Sequence, residues 1–233
     1  MRKPVRGLFI AGTDTNVGKT YVAAMIARQL VAEGRRVGVY KPVASGCRWE
    51  GNELLSDDAV SLWEAAGKPG ELTRVCPQRF EAPISPNLAA RAEDREVDAA
   101  LLRDGLDYWL EQSEVVIIEG AGGLMSPVTE EEFVADLAHD FGIPLIVVAR
   151  NALGVINQTL QTLITAATFR DGLNVAGVVL NHPVFPSSDE SLKSNRDEIE
   201  RRSVPPVLTE IAYQSTEFAT PVDWYSLGVQ GNG

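Results

Sequence analysis

The sequence predicts a single-domain α/β fold: a mostly parallel, doubly wound sheet with helices on both faces. Three observations predict it. Apolar, β-rich runs alternate with amphipathic helical patterns from one end of the chain to the other. Several of those runs (VVIIE, LIVVA, VAGVVL) are continuously apolar, the pattern of strands covered on both faces. The first run also leads directly into a glycine-bounded loop, a lysine, a hydroxyl and a helix, GTDTNVGKT then YVAAMIARQLV.

Taken in order, strands are expected at 5–11, 36–40, 115–119, 145–149, 175–180 and, more weakly patterned, 206–211. Helices fall near 21–33, 56–66, 97–112, 131–141, 154–170 and 189–202. Leu160, Leu163, Ile164 and Ala167 share one face of the fifth helix. The loop-rich region 67–96 reads as an insertion over a site, and the terminal GVQGNG reads as frayed. No repeat or linker marks a second domain, so one domain spans 1–233.

Composition narrows the class. The 21 Lys plus Arg against 32 Asp plus Glu leave a net charge of −11, which argues against nucleic acid as the main partner. Cys47 and Cys76 have no zinc-site spacing and read as free thiols in a reducing compartment. The apolar run near the N-terminus is too short for a signal peptide, and no stretch approaches a membrane span. A cytoplasmic protein with no membrane partner is expected.

In a doubly wound sheet, ligands bind beyond the carboxyl ends of the strands. After the first strand come Gly12, Thr13, Asp14, Thr15, Asn16, Val17, Gly18, Lys19 and Thr20, a phosphate-binding loop of the P-loop NTPase kind. Its glycines let backbone N–H groups turn inward, and the following helix adds its positive dipole end. Lys19 would reach the terminal phosphates and the Thr20 hydroxyl would meet magnesium. Five residues, and not four, separate Gly12 from Gly18, so Thr13 stands where the first glycine usually does.

The second strand ends in Lys41, within YKPVASG, whose ammonium would offset charge on a transferred phosphoryl group. Ser56 reads as an N-cap with dipole-favourable acids after it; Asp57 need do no more, while Asp58 could also reach a metal. The third strand delivers Glu119 at its end, followed by Gly120, Gly122 and Gly123, where backbone can approach a ligand closely. Thr20, Asp58 and Glu119 are a set that suits magnesium beside phosphate oxygens and water. Asn181, closing the fifth strand, suits a purine edge or a turn equally well. His139 reads as a helix-surface residue, and no Ser/His/Asp or Cys/His arrangement stands out.

GTDTNVGKT with its extra loop residue, then KPVASG, EGAGG, GVIN and VVLN in order, closely resembles the dethiobiotin synthetase family over about 7–211. The resemblance implies a homodimeric cyclo-ligase of biotin biosynthesis, using Mg2+, ATP and CO2 to convert 7,8-diaminopelargonic acid to dethiobiotin. It implies a carbamate, then a carbamic–phosphoric anhydride, then ring closure with release of ADP and phosphate. By position, Lys19 and Lys41 resemble the catalytic lysines, and Thr20, Asp58 and Glu119 the metal ligands. Thr15, Lys41 and Ser45 resemble residues near the diamine, and Asn181 the adenine reader. Gly154, Val155 and Asn157 resemble a helix start that holds the substrate carboxylate for the neighbouring subunit.

The chain departs from the family at Asn16, a glutamate in some members, at Asn87, commonly a histidine, and in TEIAY, which lacks the proline of GEIP. Two alternatives share the fold. A cobyrinic-acid-type amide ligase needs a glutaminase domain and a Cys–His pair for which this chain has no room. A partitioning-type switch ATPase carries a signature lysine where this loop has Asp14.

Overall fold

In the computed structural model, which describes residues 6–185 and 189–229, the chain opens with β1 (Gly7–Gly12), buried along its whole length. It passes through the phosphate loop into α1 (Lys19–Ala32), which buries Val22, Ala23, Ile26, Ala27 and Leu30. That spacing is one helical face, and burying a side chain the size of Ile26 or Leu30 contributes roughly 1.5–3 kcal/mol. β2 (Val37–Tyr40) follows, then the short β3 (Val43–Ala44) and a hairpin of β4 (Arg48–Glu50) and β5 (Glu53–Leu55). α2 (Asp57–Ala65) begins as expected at Ser56, whose hydroxyl oxygen accepts from the Ala59 N–H at 3.3 Å.

The region expected as a covering loop contains α3 (Leu72–Val75), β6 (Gln78–Arg79) and α4 (Pro86–Ala92), with β6 pairing β3. α5 (Ala99–Gln112), capped by Asp98, leads to β7 (Val115–Gly123) and α6 (Val134–Phe141). Then come β8 (Leu145–Arg150), α7 (Val155–Thr168) and β9 (Val175–Asn181). A 3-10 turn (Glu190–Lys193), α8 (Asn195–Glu200), β10 (Val207–Ile211) and α9 (Trp224–Leu227) complete the chain.

Six parallel strands form the central sheet in the order β10-β9-β8-β1-β7-β2. All carboxyl ends therefore share one edge. β1 stands between β7 and β8, with later elements distributed to both sides, so the loop after it opens into the crevice where such folds bind ligands. The register runs Ile10↔Glu119 but then Gly12↔Gly123. The extra residues of β7 bulge there and bring Gly122 and Gly123 beside the phosphate loop, while Gly120 packs against Val134 and Phe9.

Three expectations change. The helix expected at 131–141 begins only at Val134, because Thr129 and Glu132 close a turn before it. The helix expected at 189–202 is split at Ser194 into the 3-10 turn and α8. On α7, the face toward the core is Val155, Thr159, Thr162, Leu163 and Ala166; Ala167 is exposed and Ile164 is 63% exposed. Small residues and threonines face the sheet because α7 packs on β8 and α8; Thr162 there bonds back to the Gln158 carbonyl, while the buried Thr159 hydroxyl has no partner among the described residues. Position 5 and residues 230–233 lie outside the described residues, but Gly228 of the expected frayed end accepts from the Gly7 N–H at 2.9 Å. No helix among the described residues is long and apolar enough to cross a membrane.

Candidate active site

A cavity of about 720 Å³ opens above the carboxyl edge of β1, β2 and β7, bounded by the phosphate loop, the start of α2 and the 83–86 loop. Gly18 caps α1 in the left-handed region, at φ 95°. A Cβ there would lie 2.0 Å from the Asn181 Nδ2, so this position requires glycine for both conformation and space. Asn16 is also left-handed, at φ 56°, a conformation Asn tolerates. That explains how the loop accommodates a residue with no assigned chemistry.

Within the cavity the chemistry-bearing side chains converge. Lys19 Nζ donates to the Asp14 carbonyl at 3.0 Å. Thr20 Oγ1 donates to Glu119 Oε1 at 2.8 Å. Lys41 Nζ donates to the same Glu119 oxygen at 2.7 Å and to Asp58 Oδ2 at 2.6 Å. Lys41 and Glu119 are both buried, while the Asp58 side chain is 47% exposed toward the cavity.

The electrostatics follow from that packing. Burial pulls the Lys19 pKa below its ordinary value, with Glu119 opposing and Lys41 adding to the pull. Burial works against the charged form of Lys41 as well, but Glu119 and Asp58 together outweigh it and raise its pKa. For Asp58, burial favours the neutral acid, yet the Lys41 charge and hydrogen bond prevail and hold its pKa below the usual range. Lys41 therefore stays cationic and Asp58 anionic at neutral pH.

The buried Glu119 Oε2 has no hydrogen-bond partner. An unsatisfied carboxylate oxygen in the interior is costly, and beside Thr20 and Asp58 it fits a divalent cation that takes few protein oxygens. Among the described residues no cluster of three or more His, Cys, Asp or Glu residues could hold a metal. Two carboxylates and a hydroxyl are instead the sparse donor set that magnesium takes alongside phosphate oxygens and water.

A family model described as an AAA domain matches residues 6–216. The ATP-dependent dethiobiotin synthetase BioD of Rhodopirellula baltica is 40% identical over 220 residues, covering 89% of this chain and 84% of that protein. The same-named protein of Anaeromyxobacter dehalogenans is 43% identical over 199 residues, covering 84% and 85%. The chain belongs to the dethiobiotin synthetase family. Similarity among solved structures is to the fold alone. The signal recognition particle receptor FtsY from Elizabethkingia anophelis in complex with GDP has TM-score 0.56 at 18% identity, covering 97% of this chain and 63% of that one. The septum site-determining protein MinD from Pyrococcus horikoshii OT3, complexed with Mg-ADP, has TM-score 0.51 at 16% identity, covering 89% and 81%.

Among the residues singled out from the sequence, Thr15, Asn16, Gly18, Lys19, Thr20, Lys41, Ser45, Asp58, Glu119 and Gly122 line the cavity. Asn181 does not; it is buried, and its Nδ2 donates to the Val17 carbonyl at 2.9 Å. One amide hydrogen thus clamps the phosphate loop. Gly154, Val155 and Asn157 are also outside the cavity: the Val155 side chain is buried under α7, and Gly154 and Asn157 face outward.

Several cavity residues carried no sequence signal of their own. Tyr21 lines the wall, and its hydroxyl donates to the Ser215 carbonyl at 2.5 Å. Pro83, Ile84, Ser85 and Pro86 form the opposite wall; the proline-bounded PISP inside an expected covering loop was the available clue. Ser126 lines the cavity as well and accepts from the Gly123 N–H at 2.8 Å, closing the turn after β7. The cysteines take no part. Burial raises both thiol pKa values, that of Cys76 to about 12, so neither is a thiolate nucleophile at neutral pH.

Proposed function

We propose that this chain makes dethiobiotin from 7,8-diaminopelargonic acid, CO2 and ATP. The residue assignment below rests on the convergence of Lys19, Thr20, Lys41, Asp58 and Glu119 on one cavity. The loop N–H groups and the α1 dipole favour the ATP phosphates, and Lys19 moves from the Asp14 carbonyl to the terminal phosphates. Thr20, Asp58 and Glu119 would hold Mg2+, which when bound would offset the negative charge of the ATP phosphates. Asn181 steadies the phosphate loop and offers its remaining amide groups to the adenine edge.

One substrate amine adds to CO2 and loses a proton, giving a carbamate. A carbamate oxygen attacks the γ-phosphorus, the bond to the bridging oxygen breaks, and ADP leaves. The resulting carbamic–phosphoric anhydride is attacked at its carbonyl carbon by the second amine, which loses a proton as phosphate departs and the cyclic urea closes. Lys41, held cationic by the two carboxylates beside it, stabilises the charge on the transferring phosphoryl group. Thr15 and Ser45 orient the diamine with polar groups at the loop and at the strand end.

The substrate carboxylate is held by a second copy of the chain, at the start of its α7, through Gly154, Val155 and Asn157. A helix start favours an anion, and a diamine fixed at both ends is oriented for ring closure. Leu153, 84% exposed just before that helix, and Ile164, 63% exposed on it, support a homodimer burying them. A cytoplasmic location belongs to the same proposal, supported by two buried, unpaired thiols.

The deciding experiment measures phosphate release from Mg-ATP and bicarbonate with and without the diamine, with product followed by mass spectrometry. Release that depends on the diamine and yields the cyclic urea is expected. Hydrolysis indifferent to the diamine would move the assignment to a switch ATPase.

A further inference from the structure

Backbone bonds from the Val155 N–H to the Ala152 carbonyl at 3.0 Å and from the Gln158 N–H to the Gly154 carbonyl at 3.1 Å close the first turn of α7, but no side chain of the helix caps it. Gly154 caps the helix at φ 98° with no side-chain hydrogen bond, a Cβ there would point into open space, and Leu153 before it is 84% exposed. The turn is instead held from the segment between β9 and β10. Asn195, the first residue of α8 and 1% exposed, donates through Nδ2 to Asn151 Oδ1 at 2.8 Å, with longer contacts to Ser191 Oγ at 3.2 Å and the Ala152 carbonyl at 3.5 Å. Asp189 Oδ2 accepts from the Leu153 N–H at 2.9 Å. Asn151 is buried too, and its Nδ2 meets His182 Nε2 at 3.3 Å.

The same network continues toward the nucleotide side. The Asn151 N–H donates to the Asn181 carbonyl at 2.8 Å, and the Asn181 side chain holds the Val17 carbonyl. A buried polar cluster of this kind is expensive unless satisfied, and satisfied it fixes one arrangement of the groups it joins. The break of the expected 189–202 helix at Ser194 is what turns Asn195 inward.

We infer that Asn195 is a positioning residue for substrate binding: through Asn151 it fixes the 151–154 turn, so that the N–H groups opening α7 meet the substrate carboxylate in the neighbouring copy's site. This rests on the carboxylate assignment proposed above. Asn195 touches no substrate. Its loss lets the turn move, which weakens recognition of the carboxylate and leaves the phosphate loop, held separately by Asn181, in place.

The test compares kcat/KM for 7,8-diaminopelargonic acid with that for 2,3-diaminooctane, the same vicinal diamine without its carboxyl group. Both are measured in wild type, Asn195→Ala and Asn195→Ser, with melting points and the KM for ATP recorded alongside. Asn195→Ser keeps a polar group that suits the start of α8, and carries the test if the alanine variant fails to fold. A charged hydrogen bond to carboxylate corresponds to a preference of roughly 10- to 100-fold in wild type. The expected result is that this preference falls by about 10-fold in the variants while the KM for ATP holds. Folded variants that keep the full preference would overturn the role of Asn195 and leave the carboxylate site standing. Equal losses on both diamines and on ATP would mark a merely structural role and overturn it as well. A wild-type enzyme with no preference would overturn the carboxylate site, and the inference with it.

Discussion

Replacing Lys41 with methionine tests the ion cluster at the centre of the site. The ammonium lies 2.6 Å from Asp58 and 2.7 Å from Glu119, with its side chain 4% exposed. Methionine keeps the stem and removes the cation, leaving the Glu119 carboxyl group without its partner at 1% exposure and with one oxygen already unpartnered. Removing one member of a buried ion pair costs about 3–5 kcal/mol. Asp58 adds little to this, since it is 47% exposed and screened by water. In a domain of this size the loss is a melting point lower by roughly 6–20 °C.

Adding Glu119→Gln to the Lys41→Met protein removes the stranded charge, so most of the stability returns, and the double-mutant cycle gives a coupling of about 2 kcal/mol or more. Thermal melts by circular dichroism read this directly. A Lys41→Met protein that melts with wild type, or one that Glu119→Gln makes no more stable, would refute the buried-pair reasoning. Dethiobiotin formation separates from stability here. It falls about 100-fold or more in Lys41→Met, and the second substitution does not restore it, because the transition-state charge still lacks its donor.

Lys19→Ala lowers turnover by about 100-fold or more with an unchanged melting point, since among the described residues Lys19 Nζ bonds a single loop carbonyl; phosphate release and a melt measure the two halves. Gly18→Ala forces a Cβ to 2.0 Å from Asn181 in a left-handed residue. The cost of about 1–3 kcal/mol appears as a lower melting point and weaker ATP binding by calorimetry. Asp58 is held anionic below its ordinary pKa, so its contribution is present above the unfolded value near 3.8 and is lost as pH falls through the lower folded value. Urea melts at pH 7 and pH 3 should show wild type losing its margin over Asp58→Asn on acidification; a constant margin would refute this. Ile164→Asp should yield monomers by analytical ultracentrifugation and a lower kcat/KM for the diamine, because the carboxylate then has no partner copy.

The central strands and the phosphate loop were legible because their signals are local. Continuous apolar runs mark strands covered on both faces, and glycine–lysine–hydroxyl spacing marks a phosphate cradle. Glu119 and Lys41 could be picked out as strand-end residues, since a parallel sheet brings every such end to one edge. What could not be read was the company each keeps. That Lys41 lies between Asp58 and Glu119, or that Asn181 closes on Gly18, depends on contacts between residues 17 to 164 positions apart. The Asn151–Asn195 network was invisible for the same reason. Each asparagine by itself reads as a turn former, and only the fold joins them.

Helix α7 shows how a correct periodicity can point the wrong way. Leucine, isoleucine and alanine at 160, 163, 164 and 167 define an apolar face, but of these only Leu163 is buried, and the sheet takes it together with Thr159, Thr162 and Ala166. A threonine can face a core cheaply when its hydroxyl bonds back to its own helix, as Thr162 does to the Gln158 carbonyl at 2.9 Å. That leaves Ile164 on the outside, with Leu153 exposed just before the helix start. A monomer gains nothing from keeping both in water, since covering each would contribute roughly 1.5–3 kcal/mol. In the proposed dimer the two faces have separate uses: the face with Thr159, Thr162 and Leu163 anchors α7 to its own sheet, and the face with Ile164 docks the second copy. The uncapped Gly154 at the head of the helix is then fixed relative to both chains, which a carboxylate anchor shared between subunits requires.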